Sequence, residues 1–126
     1  MAVTMKDVRD ALAPDEPDYE GLPKKLGEAA LPHLRKLVRD DNPVTAGKAA
    51  SLAALIGGDK AAGVLKAAGE HKNPAVRQAA AAGAADLDPD LAESVLVGFM
   101  KDKDSAVVRR AVLASTKMPQ IGRAHV

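Results

Sequence analysis

Asn73-Pro74-Ala75-Val76-Arg77-Gln78-Ala79-Ala80 is the stretch that decides how this chain folds. Asparagine is a strong helix N-cap, because its side-chain oxygen accepts one of the backbone N–H groups that a helix start leaves unpaired. Proline suits the next position, where no N–H is needed. The alanines that follow are the best helix formers. Asn42-Pro43 stands one such interval earlier in the chain, and Asp104-Ser105 stands the same interval later. Each start follows an amphipathic run that ends in charge: Lys36 to Asp41, Glu70-His71-Lys72, and Met100 to Lys103. The interval, about 31 residues, is the length of one helical hairpin, and such hairpins stack into a solenoid.

Composition agrees with that architecture. At 126 residues the chain is one domain by length, with room for one continuous core. Roughly a fifth of it is alanine, and Tyr19 and Phe99 are the only large aromatics. A core of Ala, Leu and Val lets helices approach closely, which predicts thin, tightly stacked layers. Long alanine-rich runs do not suit strands. There is no cysteine, which excludes disulfides and thiolate metal sites. Met1 to Met5 runs straight into Lys6, Asp7 and Arg9, unlike a signal peptide, and no run is long enough to cross a bilayer. A soluble, cytoplasmic protein is the expectation.

Net charge is +1, which exerts no global pull toward nucleic acid. The charge is uneven along the chain. It is −2 over residues 1–41, −1 over 42–100 and +4 over 101–126. A basic C-terminal end is therefore expected, including Lys101, Lys103, Arg109, Arg110 and Lys117.

Read outward from the repeats, Thr4 caps a short helix bearing Met5, Val8 and Leu12 on one face, and Pro14 ends it. After the acidic turn Asp15 to Asp18, a second helix carries Tyr19, Leu22 and Leu26 and stops near Gly27. The first hairpin buries Leu31, Leu34, Leu37 and Val38, then Ala46, Ala49, Ala50, Ala53 and Ile56 or their neighbours. Gly57-Gly58 ends it, and Asp59 caps the next helix. The second hairpin turns Ala62, Leu65 and Ala68 inward, then Val76, Ala79, Ala80 and Gly83. Gly83 in mid-helix predicts a close helix contact. The third has Leu91, Val95 and Phe99, then Val108, Ala111, Val112 and Ser115. Residues 1–27 are expected to cap the stack. The hairpins are expected at 28–57, 58–87 and 88–116. The tail 117–126 is expected to be flexible, with Ile121 to Val126 an appendage outside the fold.

The repeated unit resembles the HEAT repeat of the armadillo-like superfamily. Leu31-Pro32-His33-Leu34-Arg35-Lys36-Leu37-Val38-Arg39-Asp40-Asp41-Asn42-Pro43 resembles a first helix with its proline and turn. Asn73 to Ala80 resembles the start of a second helix, and Val108-Arg109-Arg110-Ala111 is similar. The resemblance covers about residues 28–116. It implies an all-α fold, a short right-handed α-α superhelix of about three hairpins with an N-terminal helical cap. It also implies that an arginine after the cap ties neighbouring repeats through turn acids, a role that falls to Arg77 and Arg109. Ala46 or Gly47 stands where the first repeat would carry that arginine, and Ser105-Ala106 replaces the proline of the third.

No catalytic arrangement is legible. His33, His71 and His125 do not share a helical face, and a metal needs convergent ligands. Asp86-Leu87-Asp88-Pro89-Asp90 opens like a calcium loop, but Leu91 and Val97 stand where Gly and Glu are needed. Gly57-Gly58-Asp59-Lys60 lacks the strand, spacing and hydroxyl of a phosphate cradle. Asp15, Glu16, Asp18 and Glu20 read as solvated acids at a helix start, with Lys24 and Lys25 close by. Ser51, Ser94, Ser105 and Ser115 lack a nucleophile context.

These readings point to a non-catalytic protein-protein interaction module, a scaffold that holds a protein or peptide on its concave surface. No cofactor or metal is expected. Lys48, Ser51, Gln78, Arg77, Arg109 and Arg110 are the expected contact residues, and their mainly positive character suggests an acidic partner. Val107, Val112, Leu113 and Met118 are expected to have little cover, so either the tail folds back over them, or copies pair as a homodimer through the C-terminal end, or the chain is a piece of a longer array. Two alternatives stay open: an immunity or antitoxin-type inhibitor, and a HEAT-like enzyme component of the bilin lyase or DNA glycosylase kind.

Overall fold

The computed structural model describes residues 2–117. Their secondary structure is entirely helical. Helix α1 spans Met5–Leu12 and α2 Leu22–Leu26, and a 3-10 turn over Gly27–Ala30 leads into α3, Leu31–Leu37. Then come α4, Pro43–Ile56, α5, Asp59–Ala68, and α6, Pro74–Gly83. A second 3-10 turn over Ala84–Asp86 precedes α7, Pro89–Phe99, and α8, Ser105–Thr116. The helices α3–α4, α5–α6 and α7–α8 form three stacked hairpins in an α-α superhelix.

The turn inside each hairpin is built from the same hydrogen bonds. Asn42, Asn73 and Asp104 are the N-caps, and each side-chain oxygen accepts the N–H two residues on, at 2.9, 2.8 and 2.8 Å. Two residues before each cap a side chain accepts the cap's own N–H. Asp40 does so at 2.8 Å, His71 at 3.0 Å through Nδ1, and Asp102 at 2.8 Å. Asp40, His71 and Asp102 thus hold the same place in successive repeats. A histidine replaces the acid in the middle turn and keeps its acceptor role.

Stacking produces two layers. The first helices α3, α5 and α7 pack in sequence, and so do the second helices α4, α6 and α8. Helix α1 packs on α3 and α4, and α2 on α4, which covers the N-terminal side of the stack. Leu31, Leu34, Leu37, Val38, Leu52, Val64, Leu65, Val76, Val95, Leu96 and Phe99 are buried between the layers. Each such large side chain stabilises the fold by about 1.5–3 kcal/mol relative to exposure. The second layer is tight because α4 and α6 meet through small residues. A Cβ on Gly83 would lie 2.9 Å from the Ala54 Cβ, closer than carbons can sit.

Several expectations need correction. Tyr19 lies in the turn before α2 rather than on it. Pro32, by contrast, falls in the first turn of α3, the place where its missing N–H costs little. Asp59 does not cap α5: Gly58 is the N-cap, at φ 92°, after Gly57 at φ 79°. Glycine is needed there because both lie in the left-handed region. Ile56 is only partly buried, and Leu52 takes the core position. Ala79 is also only partly buried, while Arg77 and Ala81 are buried.

The last helix departs in an informative way. Its buried residues are Val107, Ala111 and Ala114, whereas Val112 and Leu113 are about half exposed, at 47% and 48%. In α6 the equivalent of the Val108-Val112-Ser115 flank is Arg77, Ala81 and Ala84, all three buried in a helix on which the third hairpin packs. No described element packs on that flank of α8. Val107, expected to lack cover, is fully buried because it faces the layer beneath. Met118, and all of the expected tail except Lys117, lie outside the described residues.

Candidate functional site

The helical register sorts the expected contact residues. Counting from the caps, Gly47, Gln78 and Arg109 are equivalent positions, as are Lys48, Ala79 and Arg110, and Ser51, Ala82 and Leu113. All nine lie on the side of α4, α6 and α8 turned away from the first helices, where each residue is partly or fully exposed. Ser51, Gln78, Arg109 and Arg110 therefore share one face. That face has a basic side on α8. Arg109 and Arg110 are exposed and form no ion pair among the described residues.

Between α4 and α6 the face dips into a groove of about 270 Å³, lined by Tyr19, Ser51, Leu55, Ala79, Ala82, Gly83 and Asp86. Its floor is low because α6 presents alanine and glycine there. Burial raises the Tyr19 phenol above its ordinary pKa where it lines the groove. Sequence reasoning missed Tyr19, Leu55 and Asp86 as groove residues. Leu55 and Asp86 hold the same place in successive repeats, so the repeat period could have found them.

Arg77 belongs elsewhere. Only 5% of it is exposed, and all three guanidinium nitrogens donate hydrogen bonds. Nε donates to Asp102 Oδ2 at 2.8 Å, Nη2 to Asp102 Oδ1 at 3.3 Å, and Nη1 to the carbonyls of His71 and Lys72 at 2.7 and 3.1 Å. Burial by itself would raise the Asp102 pKa. The Asp104 N–H and the Arg77 guanidinium outweigh it and hold that carboxyl below the usual range. Arg77 ties the second hairpin to the third and cannot reach a partner. The same register removes Arg109 from that role: Val108 is the residue equivalent to Arg77, and Arg109 points to solvent.

Lys48 is also committed within the chain. Its Nζ donates to the backbone carbonyls of Leu12 and Pro14 at 3.1 and 2.6 Å, which anchors the end of α1 on α4. The first two hairpins lack an arginine tie because Ala46, fully buried, fills the place of Arg77. His71 supplies the link instead: Nε2 donates to the Asp40 carbonyl at 2.8 Å. His33 likewise meets the Val3 carbonyl at 2.8 Å through Nε2. Among the described residues, no three His, Cys, Asp or Glu side chains converge to hold a metal.

Hairpins in register, capped turns and an arginine bridging turns are the anatomy that the sequence resemblance implied. The family model described as HEAT repeats matches residues 31–117. The chain belongs to the HEAT-repeat family. No curated protein and no solved structure gives a significant match. HEAT repeats generally mediate protein-protein interaction, and the family is typically a non-enzymatic scaffold. None of the described helices of this HEAT-repeat chain is long and apolar enough to cross a membrane.

Proposed function

We propose that this HEAT-repeat chain is a non-catalytic binding module that holds an acidic protein or peptide on the face formed by α4, α6 and α8, the concave side of the superhelix. The observation that carries this reading is the pairing on one face of a low alanine floor with the exposed, uncommitted Arg109 and Arg110. A partner's apolar side chains fit over Ala79 and Ala82, and its carboxylates meet the α8 arginines. Charges of this kind act mainly on association rate and specificity. Ser51 and Gln78 supply neutral hydrogen-bonding groups between them. Arg77 shapes the face from behind and Lys48 from its edge, through the contacts they make within the chain.

The test is capture of a native-host partner by the full chain and by an Arg109→Glu/Arg110→Glu variant, with binding then followed at two salt concentrations. The reading expects the variant to remain folded, to lose capture, and the wild-type association rate to fall as salt rises. Undiminished capture by a folded variant would contradict it.

A further inference from the structure

We propose that His71 is a pH-sensitive brace of the turn that starts α6. Its two neighbours fix the state of its ring. Asn73 offers Nδ1 a backbone N–H at 3.0 Å, so Nδ1 must accept. Asp40 offers Nε2 a backbone carbonyl at 2.8 Å, so Nε2 must carry the proton. The neutral ring with its proton on Nε2 satisfies both contacts at once. A second proton, taken from solvent, has only Nδ1 to occupy. It would turn that acceptor into a donor facing the Asn73 N–H, and the bond would be lost.

The equivalent residues in the other turns do not share this weakness. Asp40 and Asp102 accept the same N–H with carboxylates, which remain acceptors in weak acid. The joint between the second and third hairpins is held by Arg77 and Asp102, with Asp102 held in its ionised form. The turns that start α6 and α8 therefore respond differently to weak acid. His33 lacks the conflict, because a second proton leaves its contact to Val3 intact.

The charged groups around the ring come from four places. The turn after α3 brings Arg39, Asp40 and Asp41, and the ring's own turn brings Glu70 and Lys72. Helix α6 brings Arg77, which donates to the His71 carbonyl, and the turn after α7 brings Asp102 and Lys103. Asp40 and Asp102 already face Arg9 and Arg77. Among the described residues, no carboxylate is hydrogen-bonded to either ring nitrogen. Protonation thus removes the bond that His71 gives to the α6 cap, while Nε2 keeps its contact to the Asp40 carbonyl.

The experiment is an NMR titration of the full chain from about pH 7.5 to 5, the range in which imidazoles titrate. It follows the ring nitrogens of His71 and the exchange protection of the Asn73 and Asp104 amides. The expected result is neutral His71 protonated on Nε2 at high pH, and a fall of about tenfold or more in Asn73 protection as the ring gains its second proton. Asp104 protection should hold, and the fall should vanish in His71→Asp, which restores the carboxylate of the other turns. A doubly protonated His71 with Asn73 protection unchanged would overturn the proposal, and the wild-type titration reads this even if the variant fails to fold. So would a folded His71→Asp chain that keeps the same pH response.

Discussion

Arg77 and Asp102 are 25 residues apart in sequence and 2.8 Å apart in the fold. Their meeting point is the seam between the second and third hairpins, and both side chains are at least nine-tenths buried. Removing one partner of a buried ion pair leaves an uncompensated charge. Arg77→Ala should therefore cost about 3–5 kcal/mol, read as a shift in the urea midpoint. The loss would include the hydrogen bonds to the His71 and Lys72 carbonyls.

The same pair sets an acid response. The Asp102 carboxyl titrates lower in the folded chain than in the unfolded one. Its contribution is therefore fully present above the unfolded value of about 3.9 and is lost as pH falls through the folded value. Asp102→Asn should show a constant deficit against wild type down to about pH 5, and the gap should narrow below it. Equilibrium unfolding at a series of pH values checks the sign.

Gly83→Ala tests the close approach of α4 and α6. Helix propensity alone would favour alanine by about 1 kcal/mol. The new Cβ would sit 2.9 Å from the Ala54 Cβ, which is short and has no rotamer to yield. Overpacking should win, with a net loss of about 1–2 kcal/mol in thermal or urea unfolding. A gain in stability would mean that the two helices stand further apart.

Caps offer a local test. Asn73→Ala removes the acceptor for the Ala75 N–H and should cost about 1 kcal/mol. By contrast, Arg109→Glu/Arg110→Glu lies on an exposed face and should leave unfolding within about 0.5 kcal/mol per site of wild type. The contrast separates residues that hold the stack from residues that face outward.

The hairpins are legible in the sequence because their signals are local. Asn-Pro caps, a regular period and alanine runs specify helices and turns without knowledge of neighbours. What sequence alone misplaces depends on neighbours. Val-Arg at 76–77 and again at 108–109 suggests a period one step longer than the caps at 73 and 104 impose. The caps win, and they move Arg109 to the solvent side. Lys48 reads as surface charge because nothing local shows that the end of α1 lies over it. The buried stripe of α8 is misplaced because Val108 and Val112 match a flank that α6 buries and α8 leaves open. His71 gives no local sign of its role, though its place between Asp40 and Asp102 can be counted from the repeat.

The central claim is that successive hairpins are locked in register by contacts between their turns. A double-mutant cycle on Arg77→Ala and Asp102→Ala measures this most directly. The account predicts that the double variant is less destabilised than the sum of the singles, with a coupling of about 2 kcal/mol across the seam. Additive losses, with no coupling between residues 77 and 102, would contradict it.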